Sequence, residues 1–126
     1  MKIPLTKPLF THAEEERLVE VLRSGWVTQG PKVQAFEENF AKWVGARHAV
    51  ATSSCTTALH LALIAAGVGP GDEVICPSFT FIAAANVIRY CSATPVLIDI
   101  DLKTYNLDPE LLKDLITRRT KAIIAV

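Results

Sequence analysis

"GDEVICPSFTFIAAANVIRYCSATPVLIDID", residues 71–101, decides the fold. Two short apolar, β-branched runs flank an apolar stretch of helical length, and "CPSF" and "SATP" punctuate the joins. The pattern predicts a strand at 73–76, a helix over 80–90 and a strand at 94–99. Strands joined through a helix of this length form a right-handed crossover and lie parallel. Working outward, the alternation continues in both directions. A strand at 48–52 and a helix at 56–67 precede it, and a helix at 109–116 and a strand at 121–126 follow. In "NLDPELLKDL" Asp108 is placed to cap its helix, with Pro109 at the first helical position. The fold class is therefore α/β, a mostly parallel sheet with helices on both faces.

Further out, Thr11 and Glu14 have capping-box spacing, and Arg23 sits in the last turn before Gly25, so residues 12–24 read as a helix. Gly30 and Pro31 open a second helix that Gly45 closes. Its Val33, Phe36, Phe40 and Trp43 recur on one face. No repeat or linker interrupts the 126 residues, so one domain is the simplest partition: N-terminal helices 12–44, then an α/β region 46–126. The last stretch, "TKAIIAV", reads as a buried strand with nothing after it. The expectation is a partial domain cut at its C-terminal side.

Composition excludes more than it assigns. Thirteen basic and thirteen acidic residues balance, which gives no sign of a nucleic-acid or anionic-membrane partner. No apolar run approaches a bilayer span, and the N-terminus lacks a signal sequence, so the expectation is a soluble, cytoplasmic protein. Cys55, Cys76 and Cys91 have no metal-ligand spacing and read as reduced thiols.

In a parallel α/β sheet, ligands gather where strands end and helices begin. "ATSSCTTALHLAL", residues 51–63, is such a junction. Its unpaired backbone N–H groups and small hydroxyl side chains suit an anion such as phosphate, although Ser54 or Thr56 could simply cap the helix. Cys55 in Thr-x-x-Cys spacing raises a rival reading as a thiol nucleophile, against which stands a small side chain filling a turn. Phe81 follows the second strand of the alternation and should emerge on the same edge as Ser53–Thr57; the plainer role for an aromatic residue at an apolar helix start is core. Asp99 and Asp101 suggest either a metal site or a solvated turn, the turn being commoner. Gly67, Gly69 and Gly71 follow a helix and precede a strand, the reverse of a dinucleotide-binding turn. His12, His48 and His60 lack catalytic partners at recognisable spacing.

Three stretches, "SGWVTQGPKVQAFEENFAKWVGARHAVATSSCTTALHLAL", "GPGDEVICPSFTFIAAANVI" and "ATPVLIDIDLKTYNLDPELL" with "ITRRTKAIIAV" after it, together resemble the N-terminal third of the DegT-type sugar-nucleotide aminotransferases. The resemblance covers residues 23–126. It implies the large domain of a fold-type-I, pyridoxal-phosphate-dependent enzyme that moves an amino group, usually from glutamate, to a keto group of a nucleotide-linked sugar, for polysaccharide or lipopolysaccharide synthesis. A homodimer is implied too. Ser54-Cys55-Thr56 falls on the turn that holds the cofactor phosphate, with Cys55 and Thr56 as contacts, and Phe81 falls on the aromatic position that stacks on the pyridine ring. Cys55 departs from the Gly or Ala usual there. The family's Schiff-base lysine and the acidic partner of the ring nitrogen lie downstream of this chain, and none of Lys2, Lys7, Lys32, Lys42, Lys103, Lys113 or Lys121 stands in the matching motif. The implied fragment holds part of the cofactor site, no catalytic residue and no metal, and is inactive alone. A relative of the same fold that has lost the lysine, acting as a dehydratase partner or sensor, is the alternative; the thiol enzyme is the alternative of another class.

Overall fold

A computed structural model describes residues 3, 4 and 6–126; Lys2, one of the seven lysines, lies outside the described residues. The chain divides into two compact units, 1–51 and 52–126.

The first unit carries α1 (His12–Ser24) and α2 (Pro31–Val44). Both follow from local chemistry. The Glu14 carboxylate reaches back to accept from the Thr11 backbone N–H at 2.6 Å and from its hydroxyl at 2.5 Å, and these bonds hold the Glu14 carboxyl below its ordinary range. Gly25 and Gly45 close the helices at φ of 71° and 70°, the left-handed conformation that glycine takes without a steric penalty. On α2, Phe36 and Phe40 pair with ring centroids 5.8 Å apart yet stay exposed, as does Trp43.

The second unit is the α/β body. Its elements are α3 (Cys55–Ala65), β1 (Glu73–Pro77), α4 (Ala83–Tyr90), β2 (Thr94–Ile98), a 3-10 turn at Pro109–Leu111 running into α5 (Leu112–Leu115), and β3 (Thr120–Ile123). The sheet order is β2-β1-β3 and both pairings are parallel. The chain moves from β1 to β2 in one direction and from β2 back across β1 to β3 in the other. By the right-handed rule for such crossovers, α4 and α5 belong on opposite faces. Leu59 and Leu63 of α3, and Ala84, Val87 and Ile88 of α4, pack with Val74 and Cys76 of β1 and Ala122 and Ile124 at β3, so α3 shares the face of α4. Every residue of β1 is buried, as expected of a central strand.

Between β1 and β3 a side-chain lock supplements the ladder. Glu73, 7% exposed, accepts the Thr117 hydroxyl at 2.6 Å and pairs with Arg119 at 2.5 Å, while its N–H donates to the Arg119 carbonyl at 2.8 Å.

Four expectations need correcting. Residues 48–52 form no strand: a strand exists through its ladder, and none of β1, β2 and β3 pairs with this segment. The helix expected over 80–90 starts at Ala83, because residues 78–82 first turn the chain away from β1. The helix expected over 109–116 is a 3-10 turn followed by one α turn. The terminal strand runs Thr120–Ile123 rather than 121–126. Asp108 does cap its turn, accepting from the Glu110 N–H at 2.9 Å.

Candidate functional site

The first turn of α3 is built by its own hydroxyls. Ser54, extended at φ −162° and ψ 162°, is the N-cap, and its Oγ accepts from the Thr57 N–H at 3.1 Å. The Thr57 hydroxyl lies 3.0 Å from Ser54 Oγ and 3.3 Å from Ser53 Oγ, and the Thr52 hydroxyl donates to the Ser54 carbonyl at 2.9 Å. Thr52, Ser53, Ser54 and Thr57 therefore hold the turn in shape. The backbone N–H groups of Cys55 and Thr56 donate to nothing among the described residues. No acidic residue occupies the first turn, so the partial positive charge there is not neutralised. The two N–H groups, the exposed Cys55 and the half-buried Thr56 make a setting suited to an anion such as phosphate.

Topology brings a second group to this edge. The chain leaves α3 and enters β1 at its amino end, so α3 begins on the side where the strands finish. The loop 78–82 leaves the carboxyl end of β1 on that same side. In open parallel sheets of this kind, ligands bind outside the carboxyl ends of the strands. Phe81 stands in this loop at 78% exposure, which overturns the plainer expectation of a core ring.

The remaining candidates resolve differently. Asp101 Oδ1 accepts from the backbone N–H groups of Lys103 at 3.0 Å and Thr104 at 2.8 Å, and these bonds hold its carboxyl below the ordinary range. Asp99 Oδ1 accepts from the Ser78 hydroxyl at 3.2 Å. The aspartates thus serve a turn and a loop contact, and no group of three His, Cys, Asp or Glu is placed to hold a metal among the described residues. Gly67 is left-handed at φ 73° and stops α3. His12 pairs with Glu15 and Glu16 on α1, and His60 packs edge-on against Tyr90 at 5.6 Å. All three cysteines are free thiols; Cys55 is exposed, and burial pushes the Cys76 thiol up, the wrong direction for a nucleophile.

Sequence reading did not single out Thr57, Ser78 or Tyr105. The three-residue spacing of Ser54 and Thr57 was a legible capping signal. Nothing local marks the contact of Ser78 with a residue 21 positions away.

A parallel α/β unit with an open helix N-terminus and an exposed ring on its carboxyl edge has the layout in which α/β proteins place their ligands. Residues 8–126 match the model of the DegT/DnrJ/EryC1/StrS aminotransferase family, and the chain belongs to that family. It is 52% identical over 124 residues to the spore coat polysaccharide biosynthesis protein SpsC of Bacillus subtilis (strain 168), covering 98% of this chain and 32% of SpsC. It is 48% identical over 126 residues to GDP-perosamine synthase of Caulobacter vibrioides, covering 99% and 34%. Among solved structures, the putative sugar aminotransferase Spr1654 from Streptococcus pneumoniae in its PMP form superposes with a TM-score of 0.91 at 42% identity, covering 99% of this chain and 32% of Spr1654. Its PLP form gives 0.89 at 42%, covering 98% and 31%. The chain spans about a third of the length of these relatives.

Proposed function

We propose that this chain is the N-terminal portion of a pyridoxal-phosphate-dependent aminotransferase that transfers an amino group from glutamate to a keto group of a nucleotide-linked sugar. The observation that carries the reading is the first turn of α3, where, among the described residues, the N–H groups of Cys55 and Thr56 have no acceptor and no carboxylate competes for the helix end. The existence of Spr1654 in PLP and PMP forms supports the cofactor, and the name of GDP-perosamine synthase supports the substrate class. SpsC, a spore coat polysaccharide biosynthesis protein, supports a product destined for polysaccharide.

In this reading Cys55 and Thr56 hold the cofactor phosphate through backbone N–H groups, and the Thr56 hydroxyl adds a donor. Phe81 would stack on one face of the pyridine ring and shield it from water. Pyridoxal phosphate, when bound, supplies the electron sink for proton removal at the amino-bearing carbon. The two units are consecutive parts of one partial large domain, the lysine that bonds the cofactor belongs to the rest of a longer cytoplasmic, homodimeric protein, and this portion is inactive alone.

The test is made on the full-length protein. Loaded with pyridoxal phosphate and given glutamate, it should form one equivalent of 2-oxoglutarate, and turnover should continue only when a nucleotide-linked keto sugar is added. Phe81→Ala should weaken cofactor binding several-fold, as loss of one stacked ring does. A loaded protein that forms no 2-oxoglutarate refutes the aminotransferase reading; unchanged affinity in Phe81→Ala refutes the stacking role.

A further inference from the structure

Two consecutive side chains of the loop after β1 are tied to the segment after β2. Ser78 donates its N–H to the Ile98 carbonyl at 2.8 Å and its hydroxyl to Asp99 Oδ1 at 3.2 Å. The ring of Phe79 sits 6.0 Å from that of Tyr105, tilted by 44°. Among the described residues, no other side-chain hydrogen bond or ring pair involves residues 78–82.

The segment that receives these ties is a tight hairpin. Ile100 bridges Leu107 in antiparallel fashion, the Asp101 N–H donates to the Asn106 carbonyl at 2.9 Å, and the Asp108 N–H donates to the Asp99 carbonyl at 3.2 Å. Asp101 holds the tip through Lys103 and Thr104, and the Tyr105 N–H donates to the Asp101 carbonyl at 2.8 Å. Within this frame Tyr105 stands at φ 60°, in the left-handed region where a bulky side chain is a steric outlier. Phe79 and Tyr105 are 64% and 61% exposed, so core burial does not account for keeping a tyrosine there. Strained residues of this kind cluster at functional sites, where the surroundings hold them. In this conformation the Tyr105 ring lies against that of Phe79, two residues from Phe81.

We propose that the hairpin 99–108 braces the loop 78–82, with Tyr105 and Asp99 as positioning residues that set the Phe81 ring for the cofactor; this rests on the stacking role of Phe81 proposed above. Neither residue touches the ligand. Their effect passes through Phe79 and Ser78 to the orientation of Phe81.

The experiment uses the full-length protein, with pyridoxal phosphate affinity followed by quenching of protein fluorescence and ring orientation by the induced circular dichroism of the bound cofactor. Tyr105→Asn removes the ring and relieves the backbone, since asparagine tolerates the left-handed region. It should unfold no earlier than the parent, bind the cofactor about 3- to 10-fold more weakly, as expected for loss of one aromatic pair, and shrink the dichroic band. Tyr105→Phe should restore affinity to within about twofold. With Phe81→Ala already in place, Tyr105→Asn should cause no further loss, because the brace then has nothing to position. Parental affinity in Tyr105→Asn overturns the proposal, and so do losses that multiply in the double variant. Unchanged affinity in Phe81→Ala defeats the stacking role itself, and the brace with it, whatever Tyr105 does.

Discussion

Cys55 offers an unusually clean separation of backbone from side chain. It occupies the first helical position of α3, where proline is well tolerated because the N–H it lacks has no intrahelical partner. The residue before a proline must be extended, and Ser54 already is, at φ −162° and ψ 162°. Cys55→Pro therefore deletes one N–H from the proposed phosphate cradle and leaves the helix standing, and the Ser54–Thr57 cap is untouched. A hydrogen bond to a charged group contributes about 1.5–3 kcal/mol, so the loss should weaken pyridoxal phosphate binding roughly 10- to 100-fold. Cys55→Ala keeps the N–H, removes only the thiol, and should bind within about twofold of the parent. The assay is a fluorescence titration of cofactor-free full-length protein, with a thermal unfolding midpoint for each variant as a check on folding. A folded Cys55→Pro that binds like the parent would refute the backbone cradle. Equal losses in the two variants would place the thiol, not the N–H, at the phosphate.

Three further predictions concern the α/β body. Arg119→Ala strips the buried Glu73 carboxylate of its ion pair and leaves the Thr117 hydroxyl as its side-chain donor, which should cost about 2–3 kcal/mol in urea unfolding, toward the low end for such pairs because Arg119 is itself exposed. A change below about 0.5 kcal/mol would show the lock to be idle. Burial raises the Cys76 thiol above its ordinary value of 9.0, so the unfolded chain ionises first. The contribution is complete below that value and is lost as pH rises through the folded one; thermal midpoints should fall more gently with alkaline pH in Cys76→Ala than in the parent, and parallel slopes would count against it. Iodoacetamide should label exposed Cys55 in the native protein and reach buried Cys76 only on unfolding; native labelling of both at one rate would contradict the packing of β1.

What was legible in the sequence follows the range of the interaction behind it. α1 runs from His12 to Ser24 as read, because its start and stop are set within four residues by Thr11, Glu14 and Gly25. The strand, helix, strand unit of residues 71–101 was legible for a related reason: β1 and β2 are parallel neighbours in an unbroken register from Glu73 with Thr94 to Pro77 with Ile98, and the crossover between them is the intervening sequence itself. Residues 48–52 have an equally strand-like composition and form no strand, since a ladder needs a second chain segment and composition says nothing of whether one is present. Phe81 shows the opposite case, where local composition points to the core and only its position after a strand points to the edge. Its neighbours Thr80, Ile82 and Ala83 describe a buried helix start, and only the turn of residues 78–82 away from β1 exposes the ring. Tyr105 carries no signal at all, because asparagine, the residue suited to its backbone, stands one position later at 106. The proposed cradle draws on contiguous residues, Ser54 to Thr57, and the Ser54–Thr57 cap that shapes it is local. The edge on which Phe81 emerges was legible from its position after a strand, whereas the ties of its loop to Ile98, Asp99 and Tyr105 depend on β1 ending beside β2 and on a hairpin some twenty residues further along. A site composed of one local and one long-range part should respond accordingly: substitutions at the cradle act by removing a named bond, while those at the ring act through geometry set elsewhere. For that reason the variants at Cys55 and at Tyr105 should multiply, not compensate, when combined.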